Sequence, residues 1–341
     1  MTSRGATTQG GRGNARSPIV RGTKATFHYH DSSASTVELM SDSTGWQPVP
    51  LVRHGGSWSM AREYPSDARD EYLLLVDGHA ILDPLNLQRS PSVFGARSAC
   101  QMPGYRPPRK FDLPVDGKME RRRLAGRTVD VYVPVESRHA ALLVVQDGYD
   151  YEWFIGMPGL LDSLIRERAM VPTIAIFVAP QNRDHEYIGN DDYVTWMADR
   201  LMQAVRRRYA IDPDPARHGL VGASGGGLAA TYAAARRPDS FRLVGAQSPD
   251  FRRIRGADLS ARLGQMRNVD WSSLRVHVDG GTFEALLGGQ DFLASIRQGV
   301  AELRQRGCVV QYNEVHEGHN WTNWRARLPD LLSWLLGRTE R

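Results

Sequence analysis

The stretch Leu220-Val221-Gly222-Ala223-Ser224-Gly225-Gly226-Gly227 decides how this chain is read. It runs from an apolar strand, through one serine between glycines, into a helix of small residues from Leu228 to Ala235. This is the Gly-x-Ser-x-Gly pattern of a nucleophile elbow. So sharp a strand-to-helix turn drives the serine backbone into a strained conformation. Gly222 and Gly226 omit the side chains that would collide there. The hydroxyl is thereby held at a helix N-terminus, beside backbone N–H groups able to stabilise an oxyanion.

Outward from the elbow, strands and helices alternate from Phe111 to the C-terminus. Apolar runs at 127–134, 141–145 and 173–178 precede it, and 243–246, 276–278 and 309–312 follow. Tyr193, Met197, Leu201, Ala204 and Val205 share one helical face between Asp192 and Tyr209. Phe292, Ile296, Val300 and Leu303 mark a second helix, and Leu328, Leu331, Leu332 and Leu335 a final one. The alternation predicts an α/β domain over 111–341 with a doubly wound, mostly parallel sheet. Residues 22–88 read instead as a small β-sandwich. Ala25, Phe27 and Tyr29 alternate with polar residues, and Tyr72–Val76 runs into the hairpin signal Asp77-Gly78. Pro91, Pro103, Pro107 and Pro108 make 89–110 a linker, and the polar residues 1–21 read as a disordered tail.

At 341 residues two domains are the natural expectation. Hydrophobic content of 41% is that of a globular protein, and no apolar run is long enough to span a membrane. A net charge of +5 spread along the chain excludes a strongly basic nucleic-acid binder. Cys100 and Cys308 stand far apart in no metal-binding spacing, which fits a reducing compartment and points to a cytoplasmic protein.

A serine hydroxyl needs a base within hydrogen-bond reach. In an α/β-hydrolase the chain order is Ser, acid, His. His319 follows Gly318 in the loop after the last strand and is the expected base, whereas His316 is expected at the strand end. Asp279, Glu284 and Asp291 compete as the acid. Asp291 reads as part of the next helix; Glu284 is preferred, with Asp279 as the fallback, and spacing does not decide between them. The oxyanion donors are expected to be the N–H of Gly225 and that of Tyr149, with Asp147 buttressing the second loop.

In order along 121–335 stand Val131-Tyr132-Val133-Pro134, Val144-Val145-Gln146-Asp147-Gly148, Asn182-Arg183-Asp184-His185-Glu186-Tyr187, the elbow, Gln247-Ser248, Gly281-Thr282-Phe283-Glu284 and Gly318-His319-Asn320-Trp321. Together they resemble the enterochelin-esterase-like family of α/β-hydrolases and, more distantly, feruloyl esterases. Gln146, Gly225 and Asn320 depart from residues frequent in that family. The front module is similar to the early-set immunoglobulin-like domain through Trp46, Trp58 and Asp83-Pro84-Leu85-Asn86. Its two tryptophans are either core or a sugar platform, and core is the ordinary outcome for such rings.

The resemblance implies a serine esterase acting through Ser224, Glu284 and His319 and an acyl-enzyme. The implied substrate is a small-molecule ester, either a siderophore-like catecholate triester (an iron-siderophore included) or an aryl ester. It implies no metal and no cofactor, no nucleic-acid or membrane partner, and leaves oligomerisation open. Arg183, in the family's Arg-x-x-Glu motif, is read either as facing an anionic or catecholate substrate or as an ion pair bracing a loop. Tyr151, Trp153 and Trp321 are read as pocket aromatics. A feruloyl or acetyl-xylan esterase, and a non-catalytic binding protein on the same scaffold, are the competing readings.

Overall fold

The computed structural model describes residues 16–108, 116–252, 254, 259–289 and 291–338. They form two compact units. One contains the described residues up to Ser90 together with Ala96–Tyr105; the other contains Pro91–Gly95 and the described residues from Arg106 onward.

The first unit is all β. Its strands are β1 (Ile19–Arg21), β2 (Lys24–His30), β3 (Val37–Ser41), β4 (Val49–Pro50), β5 (Val52–His54), β6 (Ser57–Glu63), β7 (Arg69–Val76), β8 (His79–Ile81), β9 (Arg89–Ser90) and β10 (Arg97–Gln101). One sheet has the order β1-β2-β6-β5 and the other β4-β3-β7-β10-β9, with β8 paired to β7. Phe27 of the first sheet and Tyr72 of the second meet edge to face at 5.0 Å, both fully buried, so the two inner faces share a core. Asp77 and Gly78 both have positive φ, as the two-residue hairpin turn between β7 and β8 requires.

Two boundaries differ from the sequence expectation. The expected tail ran to residue 21, yet β1 lies within it and pairs with β2; the part before residue 16 lies outside the described residues. The expected linker 89–110 contains β9 and β10, because Ser98 to Gln101 complete the ladder on β7 despite the nearby prolines. Trp58 is core, its indole N–H donating to the Asp31 carbonyl. Trp46 is half-buried, donates to Asp42 Oδ1, and carries the Arg97 guanidinium 3.7 Å from its ring centre. The Arg53 guanidinium likewise lies over Trp58, 5.3 Å from its ring centre.

The second unit is built on one eight-stranded sheet. Its strands are β11 (Lys118–Leu124), β12 (Arg127–Val133), β13 (Ala141–Gln146), β14 (Thr173–Val178), β15 (His218–Ala223), β16 (Leu243–Gln247), β17 (Arg275–Gly281) and β18 (Val309–Val315), in the order β11-β12-β14-β13-β15-β16-β17-β18. From β14 to β18 every pairing is parallel; β11 and β12 run antiparallel at one edge. β13, β14, β15 and β16 are buried along their whole length, as strands covered by helices on both faces must be. Two apolar clusters flank the sheet. One gathers Tyr193, Met197, Leu201, Val205, Phe292, Ile296 and Val300, the helical faces legible in the sequence; the other holds Leu328, Leu331, Leu332 and Leu335 of the last helix. β11 had no sequence signal of its own because it is a charged edge strand, Lys-Met-Glu-Arg-Arg-Arg-Leu. The architecture is the α/β-hydrolase one.

Candidate active site

Ser224 sits between β15 and the helix Gly225–Arg236 with φ 55° and ψ −122°, a backbone conformation that L residues avoid. It is held there from both sides: its N–H donates to the Gln247 carbonyl at 2.8 Å, and its own carbonyl accepts from Asp250 N at 3.1 Å and Leu228 N at 3.1 Å. A Cβ on Gly222 would run into the backbone of Gly226, and one on Gly226 would lie 3.1 Å from Asp147 Oδ2. The glycines of the motif are therefore a packing requirement of this turn.

Gly225 and Tyr149 both lie in the first turn of a helix, where backbone N–H groups lack an intrahelical acceptor. The loop that presents Tyr149 leaves β13 through Asp147, at φ 51°, and Gly148, where any Cβ would strike the Phe177–Val178 backbone. Asp147 is buried and braces this loop: Arg183 donates to its two oxygens from Nε and Nη2, each at 2.9 Å. Arg183 is also where a Cβ on Gly225 would meet it, at 3.3 Å from Nη1. Glu186 is not the partner of Arg183. It pairs with Arg127, 2.9 Å away, so the Arg-x-x-Glu motif forms two separate bridges. Arg183 keeps 40% of its side chain exposed beside the elbow.

The base candidate is carried by a tightly tied loop. β18 ends at Val315, so His316 lies just beyond the strand rather than within it. Asn320 caps the helix Trp321–Leu336 through Asn323 N at 3.0 Å, and Asn323 Nδ2 reaches back to the Gly318 carbonyl at 2.9 Å. His319 Nδ1 lies 3.2 Å from Glu284 Oε1. Phe292 and Trp324 press edge-on against the imidazole at 5.0 and 4.9 Å. Glu284 comes from the 3-10 helix Thr282–Gly289 after β17, and its side chain is fully buried. Its reach to His319 depends on Gly281, where a Cβ would collide with the Glu317 carbonyl. Among the described residues no hydrogen bond joins Ser224 Oγ to His319. In unliganded sites such bonds are often long and tighten with substrate bound.

Asp279 is engaged elsewhere. It accepts from Gln247 Nε2 and from Ser248 N, both at 3.3 Å, and burial, reinforced by the Glu284 charge, pushes its carboxyl up to about 7. Asp291 caps the helix Phe292–Gln305 through Ala294 N.

The expected pocket aromatics divide. Tyr151 is fully buried with its hydroxyl donated to Gln247 Oε1, and Trp321 is buried between Tyr151 and Trp324, so these two pack as core instead of presenting open rings. Tyr149 and Trp153 are exposed, with ring centres 5.9 Å apart. Gln247 stood in the sequence only as part of the motif Gln247-Ser248, a polar side chain closing an apolar strand, with no role assigned to it. No group of three or more His, Cys, Asp or Glu among the described residues could hold a metal ion, and no described helix is long and apolar enough to cross a membrane.

A model of the family described as "Putative esterase" matches residues 124–335. The iron(III) enterobactin esterase of Escherichia coli (strain K12) is 23% identical over 338 residues, covering 90% of this chain and 83% of that protein. Among solved structures, the enterobactin esterase of Shigella flexneri in the presence of enterobactin is 22% identical with a TM-score of 0.73, covering 92% of each chain. The ferric enterobactin esterase of Salmonella typhimurium is 20% identical with a TM-score of 0.74, covering 92% of this chain and 93% of that one.

Proposed function

The chain belongs to that esterase family and is a carboxylic ester hydrolase, and we propose that it is a cytoplasmic serine esterase cleaving a siderophore-type catecholate ester. The observation that carries the mechanism is the buried Glu284 carboxylate on His319 Nδ1, at the same sheet end as a serine held at φ 55°. With Nδ1 turned to Glu284, the imidazole offers Nε2 to the serine. Ser224 Oγ attacks the ester carbonyl as His319 takes its proton, and Glu284 stabilises the imidazolium that results. The oxyanion develops between the N–H groups of Gly225 and Tyr149. His319 then protonates the leaving alcohol, an acyl-Ser224 forms, and water attacks it with the same imidazole as base.

The substrate class rests on three supports. The relatives over nine-tenths of the chain are enterobactin esterases. Tyr149 and Trp153 present exposed rings beside the proposed oxyanion donors, suited to an aryl acid. Arg183, partly exposed next to Gly225, supplies positive charge for a catecholate. A reducing compartment is consistent with Cys100 and Cys308, both free and buried.

A fluorophosphonate probe tests the nucleophile: it is expected to label the native protein and to leave Ser224→Ala unlabelled. Equal labelling of the two would refute the assignment. Turnover of a cyclic catecholate triester, with and without iron, is expected to exceed that of methyl ferulate and acetylated xylan; cleavage of only the last two would refute the substrate class.

A further inference from the structure

Behind the proposed nucleophile and base lies one buried amide that touches the supports of both. Gln247, at the end of β16, is fully buried. Its main-chain carbonyl receives the Ser224 N–H at 2.8 Å. Its side-chain Nε2 donates to the Trp324 carbonyl at 2.8 Å and, more weakly, to Asp279 Oδ2 at 3.3 Å. Its Oε1 accepts the Tyr151 hydroxyl at 3.0 Å, and the Trp324 carbonyl, which can only accept, fixes which end of the amide is which. Trp324 is the residue whose ring packs 4.9 Å from the imidazole of His319, and its indole N–H is tied in turn to Ser248 Oγ at 3.0 Å.

We propose that Gln247 is a positioning residue that sets the separation of Ser224 and His319, by bolting the first turn of the helix that follows the His319 loop to the strand that holds the serine backbone. This role for Gln247 presupposes the serine-esterase reading above. The physical basis is that hydroxyl and imidazole come from segments 95 residues apart in the chain. The sheet fixes the first, whereas the second sits in the loop before the helix Trp321–Leu336, whose apolar face alone would leave it free to slide and which polar ties such as that of Gln247 to the Trp324 carbonyl hold in place. A hydrogen bond between fully buried groups is directional and costly to leave unmade, so it removes that freedom. Misplacement of reacting groups by about 1 Å costs on the order of 100-fold in rate.

Gln247→Met keeps the volume and removes both donors. On a para-nitrophenyl butyrate probe its kcat is expected to fall about 10- to 100-fold with KM held within about twofold. The rate of fluorophosphonate labelling of Ser224 should fall by the same factor. Tyr151→Phe, which deletes only the hydroxyl bonded to the amide oxygen, is expected to lose about fivefold in both. Val244→Ala, a cavity in the same strand away from the site, supplies the comparison: matched or greater loss of Tm with both rates retained. Native labelling rates in Gln247→Met would overturn the proposal, as would an equal loss in Val244→Ala. Should Gln247→Met fail to fold, a native rate in Tyr151→Phe overturns it. A wild-type protein that the probe does not label at Ser224 would instead bring down the serine-esterase reading beneath it.

Discussion

Replacing Glu284 by glutamine isolates the charge that the proposed mechanism places behind His319. The side chain is fully buried, with Oε1 3.2 Å from His319 Nδ1 and Oε2 without a hydrogen-bond partner among the described residues. Before reaction the imidazole is neutral, so the carboxylate contributes chiefly orientation. In the transition state the ring becomes cationic, and two unit charges about 4 Å apart at an effective dielectric of about 20 attract by about 4 kcal/mol. At about 1.4 kcal/mol per decade this is about three decades of rate. Glutamine preserves shape and can still accept from Nδ1, so kcat is expected to fall about 1,000-fold while KM moves by less than about threefold. Stability should not follow activity. The substitution removes a buried charge whose second oxygen is unpaired, so Tm is expected to hold or rise. Steady-state hydrolysis of a para-nitrophenyl ester, paired with thermal unfolding, measures both. If Glu284→Gln kept native kcat while Asp279→Asn lost about 100-fold, the acid would be Asp279 and the electrostatic reasoning would fail.

Asp279 has its own signature in stability against pH. Burial holds its folded carboxyl at about 7 against 3.8 for the ordinary group, so the folded state keeps a proton that the unfolded chain has released. Stability therefore drops as pH rises through that window and levels off above it, by on the order of 4 kcal/mol. Asparagine has no proton to lose, so the Tm advantage of Asp279→Asn should open between about pH 4 and 7; an advantage that stays constant with pH would contradict this. Trp153→Ala addresses the substrate platform, since the ring is 71% exposed. The expected result is a KM for aryl esters raised about fivefold, with kcat and Tm unchanged. An unaltered KM would remove Trp153 from the site.

Legibility in the sequence varied with the range of the forces involved. The strands at 173–178 and 243–247 and the helical faces around Met197 and Ile296 appear where the hydrophobic period put them, because burial on both faces leaves an unbroken apolar run. β10 was hidden by its surroundings, since a strand completed by pairing to β7 needs no strong propensity of its own. Tyr151 and Trp153 show the limit at the site. They are two residues apart on one helical segment, yet one is core and the other open to solvent, and the rotation of that segment decides which.

The local chain marked the elbow, since Gly222, Ser224 and Gly226 stand between an apolar strand and a small-residue helix, and the structure gives the crowding that excludes side chains at the two glycines. It also marked His319, preceded by Gly318 after the last strand, as the expected base. Only the tertiary structure shows that Glu284, and not Asp279, is hydrogen-bonded to His319, and which carboxylate Arg183 meets. Those choices depend on how β17 passes into its 3-10 turn and on which carboxylate a guanidinium meets across the sheet. Distances of that kind are set by packing between segments far apart in sequence, and no periodicity within a segment encodes them.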